Sequence, residues 1–301
     1  MKLTRHRVNQ RVADLKTVSK KAVRTSIIST KWRNLFASIS IIEFDGYLLR
    51  SLTDRNIDIF KNFADRLLKF PDQVSLDCFR LNDGISSWND GDHDFDVSAW
   101  ICAALCRGVK EIDLRLHNFG DVPPVLFTCQ SLVNLALDAV GSKIEVPSYV
   151  CLGNLKTFYL RKSEFVGDSI NRLILNCHAL EDLAFIDCVV ANASELNIQS
   201  PSLKKLTLSF ISLDHVVVIN APNLVYFRYD SEIVGVHPLS NMKSLEKAEL
   251  RIWFESSDYE IQYCDETSAA HLIQGICHVR CLVEFLHCAP NLKKLILKHP
   301  V

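Results

Sequence analysis

A short apolar phrase recurs through most of this 301-residue chain. Its anchors are Val109, Leu132, Leu155, Leu180, Leu203, Leu224, Leu245 and Leu292, spaced 23, 23, 25, 23, 21, 21 and 47 residues apart. Each anchor is followed at +3 and +5 by apolar residues: Ile112/Leu114, Leu135/Leu137, Phe158/Leu160, Leu183/Phe185, Leu206/Leu208, Phe227/Tyr229, Ala248/Leu250 and Leu295/Leu297. The +3/+5 alternation has the period of a strand, whose successive side chains point to opposite faces. One strand per unit, stacked in parallel, buries those side chains in a common core.

A repeat of this length is the signature of a leucine-rich-repeat solenoid. The expected fold is therefore α/β, a solenoid of parallel strands with one strand per repeat, over residues 109–301. Such a stack offers an extended surface that binds rather than catalyses. Pro201, Pro222 and Pro290 each sit two residues before an anchor, which suits a turn leading into a strand. The chain has eleven cysteines, expected to be reduced. Cys106, Cys129 and Cys177 lie three residues before an anchor, and Cys151 and Cys288 lie four before; this phase predicts small buried fillers.

Two helices are expected. Trp100, Ile101, Ala104 and Leu105 recur at helical spacing in Val97–Arg107, with Asp96 or Ser98 as cap and Gly108 as terminator. In the 47-residue gap, Leu272, Ile276, Val279, Val283 and Leu286 predict a helix within 265–287, capped by Asp265 or Thr267. A rival reading makes Ile276–Leu282 a degenerate strand, only 16 residues before Leu292. The polar segment 82–96 reads as an exposed loop.

If the anchor, +3 and +5 point inward, then +2, +4 and +6 face outward on the concave side. That selects Glu111, Asp113 and Arg115; Thr157, Tyr159 and Arg161; Lys205, Thr207 and Ser209; Tyr226, Arg228 and Asp230; and Lys247, Glu249 and Arg251. The candidate substrate-binding set is Glu111, Asp113, Arg115, Tyr159, Arg161, Lys205, Tyr226, Arg228, Lys247 and Arg251. Its mixture of Arg, Tyr and acids suits protein recognition. The plainer reading is an ordinary solvated surface.

Other chemistries find little support. The net charge of −1 gives no global attraction to nucleic acid or membrane. No apolar run reaches the roughly 18 residues of a membrane span. The start, Met1 to Arg7, lacks an apolar signal core, so secretion is not expected. Asp90, Asp92, Asp94 and Asp96 alternate like a calcium loop, but Phe95 and Ile101 stand where such a loop needs Gly and Glu. Cys264, His271, Cys277, His278, Cys281, His287 and Cys288 crowd one segment without the paired spacing of a structural zinc site. No phosphate-binding loop, dinucleotide fingerprint or Gly-x-Ser-x-Gly elbow occurs. No cofactor, metal or catalytic group is expected.

Residues 1–33 carry ten Lys/Arg against Asp14, so the remainder sums to −10. Within them, Lys20-Lys21-Ala22-Val23-Arg24-Thr25-Ser26-Ile27-Ile28-Ser29-Thr30-Lys31-Trp32-Arg33-Asn34-Leu35-Phe36 resembles the second half of the plant F-box motif. Ile42-Glu43-Phe44-Asp45 resembles the phrase that closes that module. The stretches from Trp100 to Leu114, Val146 to Phe158 and Ser200 to Leu208 are similar to plant F-box/leucine-rich-repeat proteins of the FBD-containing group. Two departures stand out. Arg5–Lys16 lacks the apolar stripe of the first F-box helix, and the chain stops at Val301, before an FBD segment would be expected. The expected organisation is a basic segment at 1–17, a partial helical F-box at 18–50, a helical and loop lead-in at 51–108, and repeats at 109–301.

The resemblance implies a non-catalytic substrate receptor of a Skp1–cullin–F-box (SCF) ubiquitin ligase, cytoplasmic or nuclear. Its partners would be a Skp1-like protein and an unidentified protein substrate, with neither nucleic acid nor membrane. It also implies that Ala22, Val23, Ile27, Ile28, Trp32, Leu35 and Phe36 face Skp1; their alternative role is to pack the module against the first repeats. With the first F-box helix altered, Skp1 binding is expected to be weak or lost. The alternative function is then a stand-alone leucine-rich-repeat interaction module. The basic start also fits a targeting segment or a nuclear-localisation patch.

Overall fold

The protein is described by a computed structural model, which covers residues 38–45, 54–69, 74–82, 96–117, 122–191, 195–212, 216–232, 239–240, 242–253, 291 and 293–298. Within these, the apolar phrase forms strands wherever it occurs. The main path of one parallel sheet is β1 (Ile41–Phe44), β2 (Cys78–Asn82), β3 (Glu111–His117), β4 (Asn134–Val140), β6 (Thr157–Arg161), β8 (Asp182–Ala191), β10 (Lys205–Ser212), β12 (Tyr226–Glu232), β14 (Lys247–Trp253) and β15 (Lys294–Lys298). Short strands β5 (Lys143–Ile144) and β7 (Glu164–Val166) pair beside it. The fold is a leucine-rich-repeat solenoid.

The register aligns equivalent repeat positions. Ile112 stands beside Leu135, Leu135 beside Phe158, Phe158 beside Leu183, Leu183 beside Leu206, and Leu206 beside Phe227. These +3 residues are buried, as are the +5 residues from Leu114 to Leu250. Phe185 stacks the middle of the core, touching Phe158, Phe165 and Phe210 at ring separations of 6.1, 5.0 and 6.4 Å.

Two strands lie upstream of the periodic anchors. Ile39-x-x-Ile42-x-Phe44 and Leu76-x-x-Phe79-x-Leu81 are the same phrase. Glu43 pairs with Arg80, and Arg80 with Asp113. The phrase escapes a search at 21 to 25 residues because these units are longer, with anchors 37 and 33 residues apart. The added length holds helices α1 (Asp54–Lys69) and α2 (Val97–Cys106). α1 buries Phe60, Ala64, Leu67 and Leu68, one helical stripe. Phe60 and Trp100 meet edge-on at 6.0 Å, both against Phe44, and the Trp100 indole donates to Asp65 at 2.9 Å. Asp96 caps α2 by accepting from the Ala99 amide at 2.8 Å, and Gly108, at φ +65°, turns the chain into β3.

Farther along, the connections change character. A 3-10 turn (Pro124–Thr128) follows β3, and helix α3 (Gly167–Asn176) precedes β8. Then β9 (Glu195–Gln199), β11 (Val216–Asn220) and β13 (Leu239–Ser240) form a second, three-stranded parallel sheet. Asn171 of α3 takes the place of a further strand at its edge: its side chain donates to the Glu195 carbonyl and accepts from the Asn197 amide. Connections and inner strand faces share one continuous apolar core.

The turns before the strands are tied in series. The residue preceding an anchor is often Ser or Asn. Asn154, Asn223 and Asn291 donate to the carbonyls of Gln130, Pro201 and Lys243 in the preceding unit, at 2.7 to 2.8 Å. Ser131 and Ser202 donate to the carbonyls of Val109 and Leu180. Just inside, the +1 carbonyl of one unit accepts two amides from the next; Lys156 takes those of Glu181 and Asp182 at 2.8 and 3.0 Å.

Contrary to the expectation from their phase, the in-phase cysteines are not all buried fillers. Cys177 is buried, but Cys129 and Cys151 are half-buried and Cys106 is exposed. Cys129 and Cys151 lie in polar turns, where the Cys129 thiol meets the Ser131 hydroxyl and Cys151 accepts from Gln130, while Cys106 ends a helix. Cys288 and the expected 265–287 helix lie outside the described residues, as does the proposed 82–96 loop from 83 to 95.

Leu206→Ala should cost about 2–5 kcal/mol in urea denaturation, and Leu76→Ala an equivalent amount. Thr207→Ala, one position away but facing outward, should stay within about 0.5 kcal/mol. A Leu76→Ala change as small as that at Thr207 would detach β2 from the solenoid core.

Candidate interaction surface

Three outward rows run across the sheet, fixed by its register. The +2 row reads Ile41, Cys78, Glu111, Asn134, Thr157, Asp182, Lys205, Tyr226, Lys247 and Lys294. The +4 row reads Glu43, Arg80, Asp113, Ala136, Tyr159, Ala184, Thr207, Arg228, Glu249 and Ile296. In the +6 row, Asn82, Arg115, Asp138 and Arg161 align, with Ile186 after them. The row regains alignment at Ser209, Asp230 and Arg251. The interruption is a bulge in β8, where Asp187 adopts φ +53°.

All ten residues of the sequence-derived set lie on this face. Arg115, Arg161 and Lys205 are exposed; Glu111, Asp113, Tyr159, Tyr226, Arg228, Lys247 and Arg251 are half-buried. Ser209 and Asp230, also selected by alternation, are buried at 8% and 7% exposure, so they do not belong to the accessible surface. Asp230 is covered by its own ion partners, Arg228 at 3.2 Å and Arg251 at 3.6 Å. Alternation tells which side a residue faces; the length of its neighbours decides whether solvent reaches it. The same rule at Leu132 and Leu180 supplies Asn134, Asp138 and Asp182, which the selected set left out. Glu43 and Arg80 become visible only once Ile39 and Leu76 are recognised as anchors.

The polar groups of the face are organised in clusters. Arg80 bridges Glu43 at 3.7 Å and Glu111 at 2.6 Å. The Glu111 hydrogen bond raises the Arg80 pKa further. The Tyr159 hydroxyl donates to Asp182 at 2.8 Å, and Lys205 approaches the same carboxylate at 3.8 Å. Burial, then the Asp182 bond and charge, push the Tyr159 phenol up to about 12. Lys247 lies 4.9 Å from the Tyr226 ring centroid and donates to Glu249. Such pairs hold long side chains in place more than they stabilise the fold.

Three thiols are strongly protected from ionisation. Cys78, on the outward row, is raised to about 12 by burial and the adjacent Glu111 charge. Burial raises Cys177 to about 12 and Cys188 to about 11. None is poised as a nucleophile.

Ala22, Val23, Ile27, Ile28, Trp32, Leu35 and Phe36 lie outside the described residues, as does the cysteine- and histidine-rich segment from Cys264 to Cys288. Ile42–Phe44 of the module-closing phrase belongs to β1. Among the described residues no cluster of His, Cys, Asp or Glu could hold a metal ion, and no helix is long and apolar enough to cross a membrane.

Comparison with known proteins places this geometry among relatives. The family described as "FBD-associated F-box protein At5g56370, LRR repeats" matches residues 97–249. The chain is similar to F-box/LRR-repeat protein At4g14103 of Arabidopsis thaliana, at 30% identity over 88% of this chain and 72% of that protein. It is 33% identical to putative F-box/LRR-repeat protein At3g49150 of the same plant, over 75% of this chain and 37% of that protein. F-box/LRR-repeat protein At2g42730, also from Arabidopsis thaliana, is 31% identical over 78% of this chain and 52% of its own length. The aligned segments thus span between about a third and about two thirds of the first few relatives. No solved structure matches the chain.

The buried thiols set an alkaline limit on stability. Unfolded, they ionise near their ordinary value of 9.0; folded, they keep their protons to about 11 or 12. Above pH 9 the unfolded state therefore binds fewer protons, and stability declines toward the folded values. The urea midpoint should fall between about pH 8 and about pH 10.5, and less so in a Cys78→Ala/Cys177→Ala/Cys188→Ala variant. An equal fall in both proteins would contradict this assignment.

Proposed function

The chain belongs to the plant family of F-box/leucine-rich-repeat proteins, and from that premise we propose that it is a non-catalytic substrate-receptor adaptor of an SCF ubiquitin ligase. The observation that carries the reading is the open face of the sheet, where Glu111, Asp113, Arg115, Tyr159, Arg161, Lys205, Tyr226, Arg228, Lys247 and Arg251 share three aligned rows. These residues take a protein substrate. Ala22, Val23, Ile27, Ile28, Trp32, Leu35 and Phe36 dock on a Skp1-like protein, with Trp32 as anchor, since buried aromatics dominate such interfaces. Holding both partners on one body raises the effective concentration of substrate at the ligase. The place of action is the cytoplasm or nucleus.

A second reading is a stand-alone interaction module. It is favoured by Arg5–Lys16, whose charged and polar residues do not form the apolar stripe of a first F-box helix.

Co-expression of the full chain with a Skp1-like protein separates the two. The adaptor should co-purify with it, and Trp32→Ala should lower capture about tenfold or more. No capture by the unaltered chain would contradict the adaptor reading and leave the stand-alone module.

A further inference from the structure

The open face is electrically divided. On the three rows of β1 to β8 the charged residues are Glu43, Glu111, Asp113, Asp138 and Asp182 against Arg80, Arg115 and Arg161, a balance of −2. The exposed Asp187 at the β8 bulge, which accepts from Ser209, brings it to −3. From β10 to Lys294 they are Lys205, Arg228, Lys247, Arg251 and Lys294 against Asp230 and Glu249, a balance of +3. On the later strands exposure favours the cations. The Asp230 and Glu249 side chains are only 9% and 12% exposed, beneath their partners. Lys205, Arg228, Lys247 and Arg251 keep 62%, 39%, 38% and 31% of their side-chain surface. What a partner meets on β10 to β15 is cationic, with the Tyr226 ring among the cations.

We propose that β10, β12, β14 and β15 dock a short acidic segment of a protein partner. The inference rests on the open face being the partner-binding surface and names the partner's chemistry. Four neighbouring strands span about 15 Å, the length of about four or five extended residues lying across them. A run of that many Asp or Glu residues meets Lys205, Lys247 and Lys294 along one row and Arg228 and Arg251 on the next two. Tyr and Arg are the side chains that most often anchor protein interfaces. A longer polyanion is disfavoured, because its next charges would run over Asp182, Glu111 and Asp113. The acidic half lies beyond a Debye length of about 8 Å from most of the cationic centre, so each half selects its own stretch of partner.

Fluorescence anisotropy on the full chain tests this with labelled synthetic peptides. One carries a run of about five glutamates; the others replace that run with serines or with lysines. A short oligothymidylate is the nucleic-acid probe. The glutamate peptide should bind, and its affinity should weaken with added salt. Lys205→Glu/Lys294→Glu should reduce that affinity about tenfold, while Lys143→Glu, on short strand β5 outside the three rows, should change it less than about twofold. All three positions are exposed, and a thermal melt confirms that the variants fold. Equal binding of the serine peptide, or an affinity untouched by Lys205→Glu/Lys294→Glu, overturns the inference. Tighter binding of the oligothymidylate also overturns it, in favour of nucleic acid. Cellular partner capture that survives Lys205→Glu/Lys294→Glu, with Skp1 capture intact, overturns the acidic-partner inference while keeping the adaptor reading.

Discussion

Each repeat depends on its neighbour for two things at once: an apolar surface to close over its inward residues, and a carbonyl to receive the amides of its incoming strand. Leu206 and Leu208 alone would leave two large side chains against water. Between Leu183/Phe185 and Phe227/Tyr229 they are removed from it entirely. The Glu181 carbonyl meanwhile takes the amides of Lys204 and Lys205, and Ser202 reaches back to the Leu180 carbonyl. Both demands are met only if every unit places the same position in the same register. Stability is then a sum over neighbouring pairs, as in other stacked-repeat proteins.

That register also builds the outward face of the sheet. Side chains chosen by no local rule become neighbours because their repeat positions coincide. Tyr159 meets Asp182 and Lys247 meets Tyr226 for this reason, although each pair is more than twenty residues apart in sequence. The divided charge of the face follows from the same arithmetic. Lys and Arg at outward positions of the later units become one cationic patch once those strands lie side by side.

The central units were legible because leucine at fixed intervals is an unusually direct report of burial. The α2 helix was legible too, from Trp100, Ile101, Ala104 and Leu105 and from Asp96 and Gly108 at its ends. What escaped was set by long-range contacts. Ile39 and Leu76 anchor strands at intervals stretched by helices, so no constant period exposes them. The burial of Asp230 depends on two arginines from its own and an adjacent strand, and the exposure of Cys106 on where a helix ends. The Ser and Asn residues before the anchors were present in the repeating phrase, but their role requires the carbonyl of the previous turn to be in reach.

One cooperative stack begins at β1 and runs without a break into the periodic repeats. Native-state amide hydrogen exchange measures this at the carbonyls that join the units. Cys78 donates to Ser40, Glu111 to Asp77 and Asn134 to Lys110, each across one junction. These three amides should exchange slowly and with similar protection to those of Lys205 and Tyr226. Free exchange at Cys78 and Glu111 beside protected amides from Asn134 onward would show that the first two strands are not part of the stack.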